Sequence, residues 1–170
     1  MAAGGVSVGV LMGSDSDADI MKRCVQQLRD FGIVCEVRVL SAHRTPQAVE
    51  EYAAAATGRG IRVIIAAAGM SAALAGTLAA RVSLPVIGVA IPAGPLAGVD
   101  ALLSTVQTPP GVPVACAGIG EAGAVNAAVL AAEILALSEP ALGDKLRAFK
   151  AGMVEKTLSR DRKIQDQFRT

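Results

Sequence analysis

His43 is the only histidine in 170 residues, and it stands next to Arg44 in the stretch Ser41-Ala42-His43-Arg44-Thr45-Pro46. Imidazole has an ordinary pKa inside the neutral range, which makes His43 the first candidate for moving a proton. A lone histidine is often a satisfied core residue, but the fixed charge of Arg44 suits a phosphate or carboxylate and points to a site instead. Thr45 as cap, Pro46 at the first helical position and Gln47-Ala48-Val49-Glu50 behind it predict a helix start. His43 and Arg44 then occupy a loop at a helix N-terminus, where backbone N–H groups favour anions.

Gly13-Ser14-Asp15-Ser16-Asp17 offers a second chemistry. Ser14 followed by Asp17 matches a capping box. The same residues suit a phosphate held by Ser14 and the N–H groups after it, with a carboxylate on sugar hydroxyls. No G-K-[ST] follows this stretch and it does not carry G-x-G-x-x-G, which weighs against ATP hydrolysis and against a dinucleotide site at residues 13–17. A third stretch, Gly69-Met70-Ser71-Ala72-Ala73-Leu74-Ala75-Gly76, fits a tight strand-to-helix connection or a snug apolar pocket with backbone donors. Serine and histidine without a convincing triad acid argue against acyl transfer and leave proton transfer as the task for His43.

The elements that must position these residues follow from periodicity. Val6–Leu11 reads as a buried strand, and Ile20, Met21, Cys24, Val25, Leu28 and Phe31 recur at helical spacing up to Gly32. Ile33–Leu40 is a strand near a sheet edge or end, and a helix runs from Pro46 to about Thr57. Ile61–Ala66 is the most hydrophobic strand and belongs at the centre of the sheet; the loop 67–71 and a helix to about Val82 follow it. Pro85–Ala90 is a fourth strand, 92–98 a turn-rich loop, Val99–Gln107 a short helix, Val112–Ala117 a fifth strand and Gly123–Leu137 a long helix. A charged helix begins at Pro140; its Leu146, Phe149, Met153, Leu158, Ile164 and Phe168 are too sparse to hold it alone, so it lies against another subunit or frays.

Strands alternating with helices imply a central parallel sheet with right-handed crossovers, a three-layer α/β/α sandwich of flavodoxin-like or Rossmann-like type with a projecting C-terminal helix. Residues 1–139 form the α/β domain and 140–170 a helical extension. Ligands in such sheets bind outside the carboxyl ends of the strands. That edge gathers the loops 13–17, 41–45 and 67–76, and with them Ser14, Asp17, His43, Arg44 and Ser71.

Composition sets the outer bounds. The length fits one domain able to bury a core without disulfides or metals. With 52% apolar residues, 18% charged and a net charge of +1, neither disorder nor a nucleic-acid surface is indicated. Only 2% of residues are aromatic, so the core is built from small side chains. Cys24, Cys35 and Cys116 fall in apolar patterns without a C-x-x-C spacing and read as core filler, with no metal site and no disulfide framework. Met1–Gly5 lacks the form of a signal peptide, and the apolar region 61–92 is interrupted short of a membrane span, giving the expectation of a cytoplasmic protein away from membranes.

Five stretches in order resemble the PurE family of purine biosynthesis from Val8 to about Leu137: Gly13–Asp17, Ser41–Pro46, Leu84–Val89, Leu102-Leu103-Ser104 with Gln107, and Gly123–Ala128. The resemblance implies a cofactor-free octamer of α/β/α subunits, functionally linked to the synthetase that makes its substrate. Class I members convert N5-carboxyaminoimidazole ribonucleotide into 4-carboxy-5-aminoimidazole ribonucleotide. It further implies that His43 is the general acid/base and that Ser14, Asp17 and Arg44 hold phosphate and ribose. Ser41, Gly69, Ser71 and Leu74 complete the expected substrate-binding set. The third loop departs from the class I run A-G-G-A-A-H-L-P-G-M, with Ala73 in place of the histidine and Ala75 of the proline. It is nearer the class II members, which carboxylate aminoimidazole ribonucleotide directly, although those usually carry lysine where Arg44 stands. The mutase is the leading reading; the direct carboxylase and a non-catalytic nucleotide-binding homologue are the alternatives.

Overall fold

The computed structural model describes residues 5–169. The first four residues of the segment weighed above as a signal peptide, and Thr170, lie outside the described residues. Five strands form one parallel sheet: β1 (Val8–Met12), β2 (Cys35–Val39), β3 (Val63–Gly69), β4 (Val86–Ile91) and β5 (Ala115–Ile119), in the order β2-β1-β3-β4-β5. The helices are α1 (Ala18–Asp30), α2 (Pro46–Ala56), α3 (Leu74–Ala79), α4 (Val99–Val106), α5 (Gly120–Ala136) and α6 (Pro140–Gln167).

The inner strands are apolar on both sides because both sides are covered. Val63, Ile65 and Ala67 of β3 join Val8, Val10 and Met12 of β1 in one core layer, closed by α1, α5 and the start of α6. Ile64 and Ala66 point the other way into a layer with Leu11, Val49, Tyr52, Leu74 and Leu78. In α5, Ala124, Ala127, Ala128, Ala131 and Ala132 are fully buried, so the small side chains let this helix approach α1 and the sheet closely. Gly9 in β1 has the same cause: a Cβ there would stand 2.1 Å from the Tyr52 hydroxyl.

The sheet departs from the sequence boundaries most at the end of β3 and the start of β5. Ala67, Ala68 and Gly69 belong to β3, not to a loop, because they continue its register against Val89, Ala90 and Ile91 of β4. The fifth strand begins three residues later than expected, since the left-handed Gly111 (φ 92°) and the bond from Val112 N to the Pro109 carbonyl hold the preceding segment in a turn. Helix α3 stops at Ala79 rather than Val82, and α5 starts at Gly120, directly off β5.

β2 is an edge strand as expected, but its apolar side is open. Val37 and Val39 are 43% and 50% exposed, while Glu36 is partly buried on the opposite side, paired with Arg59 at 3.0 Å. Arg59 also stacks 4.7 Å from the centre of the Tyr52 ring. Helix α6 docks through Leu142, Leu146 and an edge-to-face contact of Phe149 with Phe31, whose ring centres are 5.3 Å apart. From Ala151 onward every described residue is exposed, and the helix nevertheless continues to Gln167. Among the described residues, no helix is long and apolar enough to cross a membrane.

Candidate functional site

In the strand order 2-1-3-4-5 the chain turns left after β1 and right after β3, and the loops there diverge to leave a crevice at the carboxyl ends. A cleft of about 610 Å³ occupies that crevice. Its lining comes from the loop after β1 (Gly13, Ser14, Ser16, Asp17), the loop after β2 (Ser41 to Arg44), the end of β3 and the start of α3 (Ala68 to Ser71, Ala73, Leu74), and Ala93 after β4. All eight residues expected from sequence, Ser14, Asp17, Ser41, His43, Arg44, Gly69, Ser71 and Leu74, line this one cleft.

The first loop is a formed capping box: the Ser14 N–H donates to Asp17 Oδ2 at 3.1 Å and the Ser16 N–H donates to Ser14 Oγ at 3.3 Å. Ser16 Oγ in turn donates to Ser14 Oγ at 2.9 Å. The cap is compatible with ligand binding, because the serine hydroxyls remain on the cleft wall. Asp17 is only 4% exposed. Its burial raises the carboxyl above the ordinary 3.8, against the N–H bonds from Ser14 and Gly13 and the Ser16 hydroxyl, which pull it down.

The second loop is tied to the first. Arg44 Nη2 donates to the Gly13 carbonyl at 2.8 Å, and the Arg44 N–H donates to Ser41 Oγ at 3.2 Å. Thr45 does not cap α2 with its side chain; its hydroxyl donates to the Ser41 carbonyl at 3.1 Å and accepts the Ser41 N–H at 2.9 Å. The effect is to close the turn that carries His43. The imidazole itself is exposed in the protomer and lines the open cleft. Across from these polar groups the wall is apolar and made of small residues, Ala68, Gly69, Ala73 and Ala93, with Leu74 buried behind them.

A cleft with one imidazole, one guanidinium and a serine–aspartate loop at a sheet's switch point is the setting in which comparisons with known proteins become decisive. The family model described as AIR carboxylase matches residues 7–156. The chain belongs to the AIR carboxylase family. It is 52% identical to the N5-carboxyaminoimidazole ribonucleotide mutase of Pyrococcus abyssi over 146 residues, 86% of this chain and 83% of that protein. It is 50% identical to the mutase of Pseudomonas aeruginosa, covering 89% and 93% of the two chains, and 49% identical to that of Mycobacterium tuberculosis, covering 93% and 90%. Among solved structures it is similar to Treponema denticola PurE, with a TM-score of 0.85 and 29% identity over 93% of this chain and 98% of that one. The α/β/α reading of the sequence is thereby established.

Of the residues lining the cleft, Ala93 lies outside the three loops legible in the sequence, while Ser16 and Met70 lie within them without having been singled out. Ser16 lies within the motif already singled out, and its hydroxyl bonds to Ser14. Ala93 carries no chemistry to notice, and only its position after β4 at the carboxyl edge signals it. The cysteines lie away from the cleft: Cys24 is buried and its thiol is pushed up to about 12 by burial and the neighbouring Cys35. Among the described residues no group of three or more histidine, cysteine, aspartate or glutamate side chains is placed to hold a metal ion.

Proposed function

We propose that this protein is an N5-carboxyaminoimidazole ribonucleotide mutase, moving the carboxyl group from the exocyclic nitrogen of the imidazole to its carbon 4. The observation that carries the reading is the convergence of His43 with Ser14, Asp17 and Arg44 on one cleft, in a chain 49–52% identical to proteins bearing that name. Arg44 and Ser14 take the phosphate, and Asp17 accepts hydrogen bonds from ribose hydroxyls. Ser41 sets the Arg44 backbone through its hydroxyl. Ser71 and Gly69 face the base, with Leu74 supporting them from the core behind.

The chemistry needs one proton shuttle and a pocket that retains carbon dioxide. The C–N bond of the carbamate breaks, its electron pair stays on nitrogen 5, and His43 delivers a proton there. Carbon 4 then attacks the released carbon dioxide, forming the new C–C bond, and the carbon 4 proton returns to His43. The shuttle closes on itself, so the residues need supply nothing further. Holding carbon dioxide beside carbon 4 replaces a bimolecular capture by an intramolecular one, which is the large part of the gain.

Two larger-scale features belong to the same reading. Val37 of β2 lines a groove of about 670 Å³ with Val25 of α1, and the distal half of α6 exposes Met153, Val154, Leu158 and Ile164. Such surfaces are what subunit contacts cover, and they support a homo-oligomer, an octamer by the family resemblance. In it the extension 140–170 is anchored on its own core by Leu142, Leu146 and Phe149 and reaches a neighbour beyond residue 150. The protein then works in the cytoplasm downstream of the synthetase that makes its unstable substrate. The test is substrate-resolved turnover by purified protein. N5-carboxyaminoimidazole ribonucleotide alone is expected to give the 4-carboxy product; turnover only from aminoimidazole ribonucleotide plus bicarbonate makes the enzyme a direct carboxylase, and no turnover with retained binding makes it a non-catalytic homologue.

A further inference from the structure

Met70 sits on the cleft wall with a left-handed backbone, φ 56°, that a side chain with a Cβ adopts only at a cost. Among the described non-glycine residues only Ala97, φ 48°, shares this conformation, and it lies in the loop 92–98 that faces Met70. The two loops touch closely. A Cβ on Gly69 would stand 2.8 Å from that of Ala93, and one on Gly94 would stand 3.7 Å from Met70 Cγ. Strained backbone that persists at a ligand cleft is characteristic of a geometry the function uses.

That geometry sets a long apolar side chain, 58% exposed, on a wall whose other accessible residues are the small Ala68, Gly69, Ser71, Ala73 and Ala93. Leu74, the other large apolar residue of the cleft, is 2% exposed and fixed in the core. Methionine is unbranched, with several rotatable bonds and a polarizable sulfur, so it adapts to cover an irregular opening. Resting on the mutase reading, we infer that Met70 is a positioning residue that closes the apolar side of the occupied cleft and retains carbon dioxide between the two half-reactions.

The consequence is a branch in the products. With Met70 in place, carbon dioxide released from nitrogen 5 is attacked by carbon 4. Without it, carbon dioxide departs after nitrogen 5 has taken the His43 proton, aminoimidazole ribonucleotide is the product, and His43 is reprotonated from water. Met70→Gly suits the left-handed backbone, so the melting temperature should hold or rise. Its consumption of N5-carboxyaminoimidazole ribonucleotide should continue, while the fraction released as aminoimidazole ribonucleotide, corrected for breakdown without enzyme, rises several-fold. Met70→Leu should keep the native partition. An unchanged partition in Met70→Gly overturns the inference, as does an equal leak in both variants. If the native protein itself makes no 4-carboxy product, the mutase reading fails and the inference falls with it, a result distinct from a native enzyme that works and a glycine variant that does not leak.

Discussion

His43 carries the proton in this account while Arg44, Ser14 and Asp17 hold the ribonucleotide, so removing the imidazole should separate chemistry from binding. His43→Asn is expected to lower kcat by roughly 10²–10⁴-fold, with ribonucleotide binding retained in calorimetry; full activity would remove the acid/base role. On the proposed reading, Asp17 sets the acid limb. Its raised carboxyl pKa means that the folded state holds the proton more tightly than the unfolded chain does. The stability it contributes is therefore fully present below the ordinary 3.8 and is lost as pH rises through the higher folded value. Binding runs the opposite way, because only the carboxylate is a pure acceptor for ribose hydroxyls. As pH falls toward that raised pKa, KM should climb earlier than for an ordinary aspartate, and Asp17→Asn should lack this limb. Steady-state pH profiles of both proteins check it. At this scale the polar site was legible in the sequence, since His43, Arg44, Ser14 and Asp17 advertise their chemistry. Met70 and Ala93 were not: methionine gives no sign of a left-handed φ, and an alanine on a wall looks like any other alanine.

Elements place these residues by close approach. β1 must lie against α2 for its end to reach the loop of His43, and Gly9 makes room for the Tyr52 ring that α2 brings in. The Tyr52 hydroxyl is buried, and burial followed by the Glu36 carboxylate drives its pKa well upward, so it stays protonated. Gly9→Ala should therefore push Tyr52 out of place and destabilise the fold by about 1–3 kcal/mol, read by denaturant unfolding; a neutral substitution would mean that α2 shifts freely. Strand and helix order followed from the sequence because β1, β3 and β4 are apolar on both sides and the helices repeat at 3.6 residues. The ends were less legible. Nothing in Ala67-Ala68-Gly69 says that it stays in register with β4, and the turn around Pro109–Val112 that delays β5 depends on a backbone bond rather than on composition.

The described residues leave apolar surfaces open on the valine side of β2, on α4 through Val99, Leu103 and Val106, and on the distal half of α6. Removing residues 151–170, none of whose described side chains is buried, should leave the protomer folded and lower the sedimenting mass of the assembly. A truncated chain of unchanged oligomeric size would show that α6 does not bridge subunits. In the proposed homo-oligomer, assembly also bears on catalysis, because the cleft is open in the isolated protomer and carbon dioxide must be retained in it. The central claim is that the carboxyl group never leaves that cleft. N5-carboxyaminoimidazole ribonucleotide labelled with carbon-13 in its carboxylate, given to the purified protein in unlabelled bicarbonate, tests this directly by mass spectrometry of the product. The account predicts that the 4-carboxy product keeps the label; an unlabelled product, drawn from the bicarbonate pool, would contradict it.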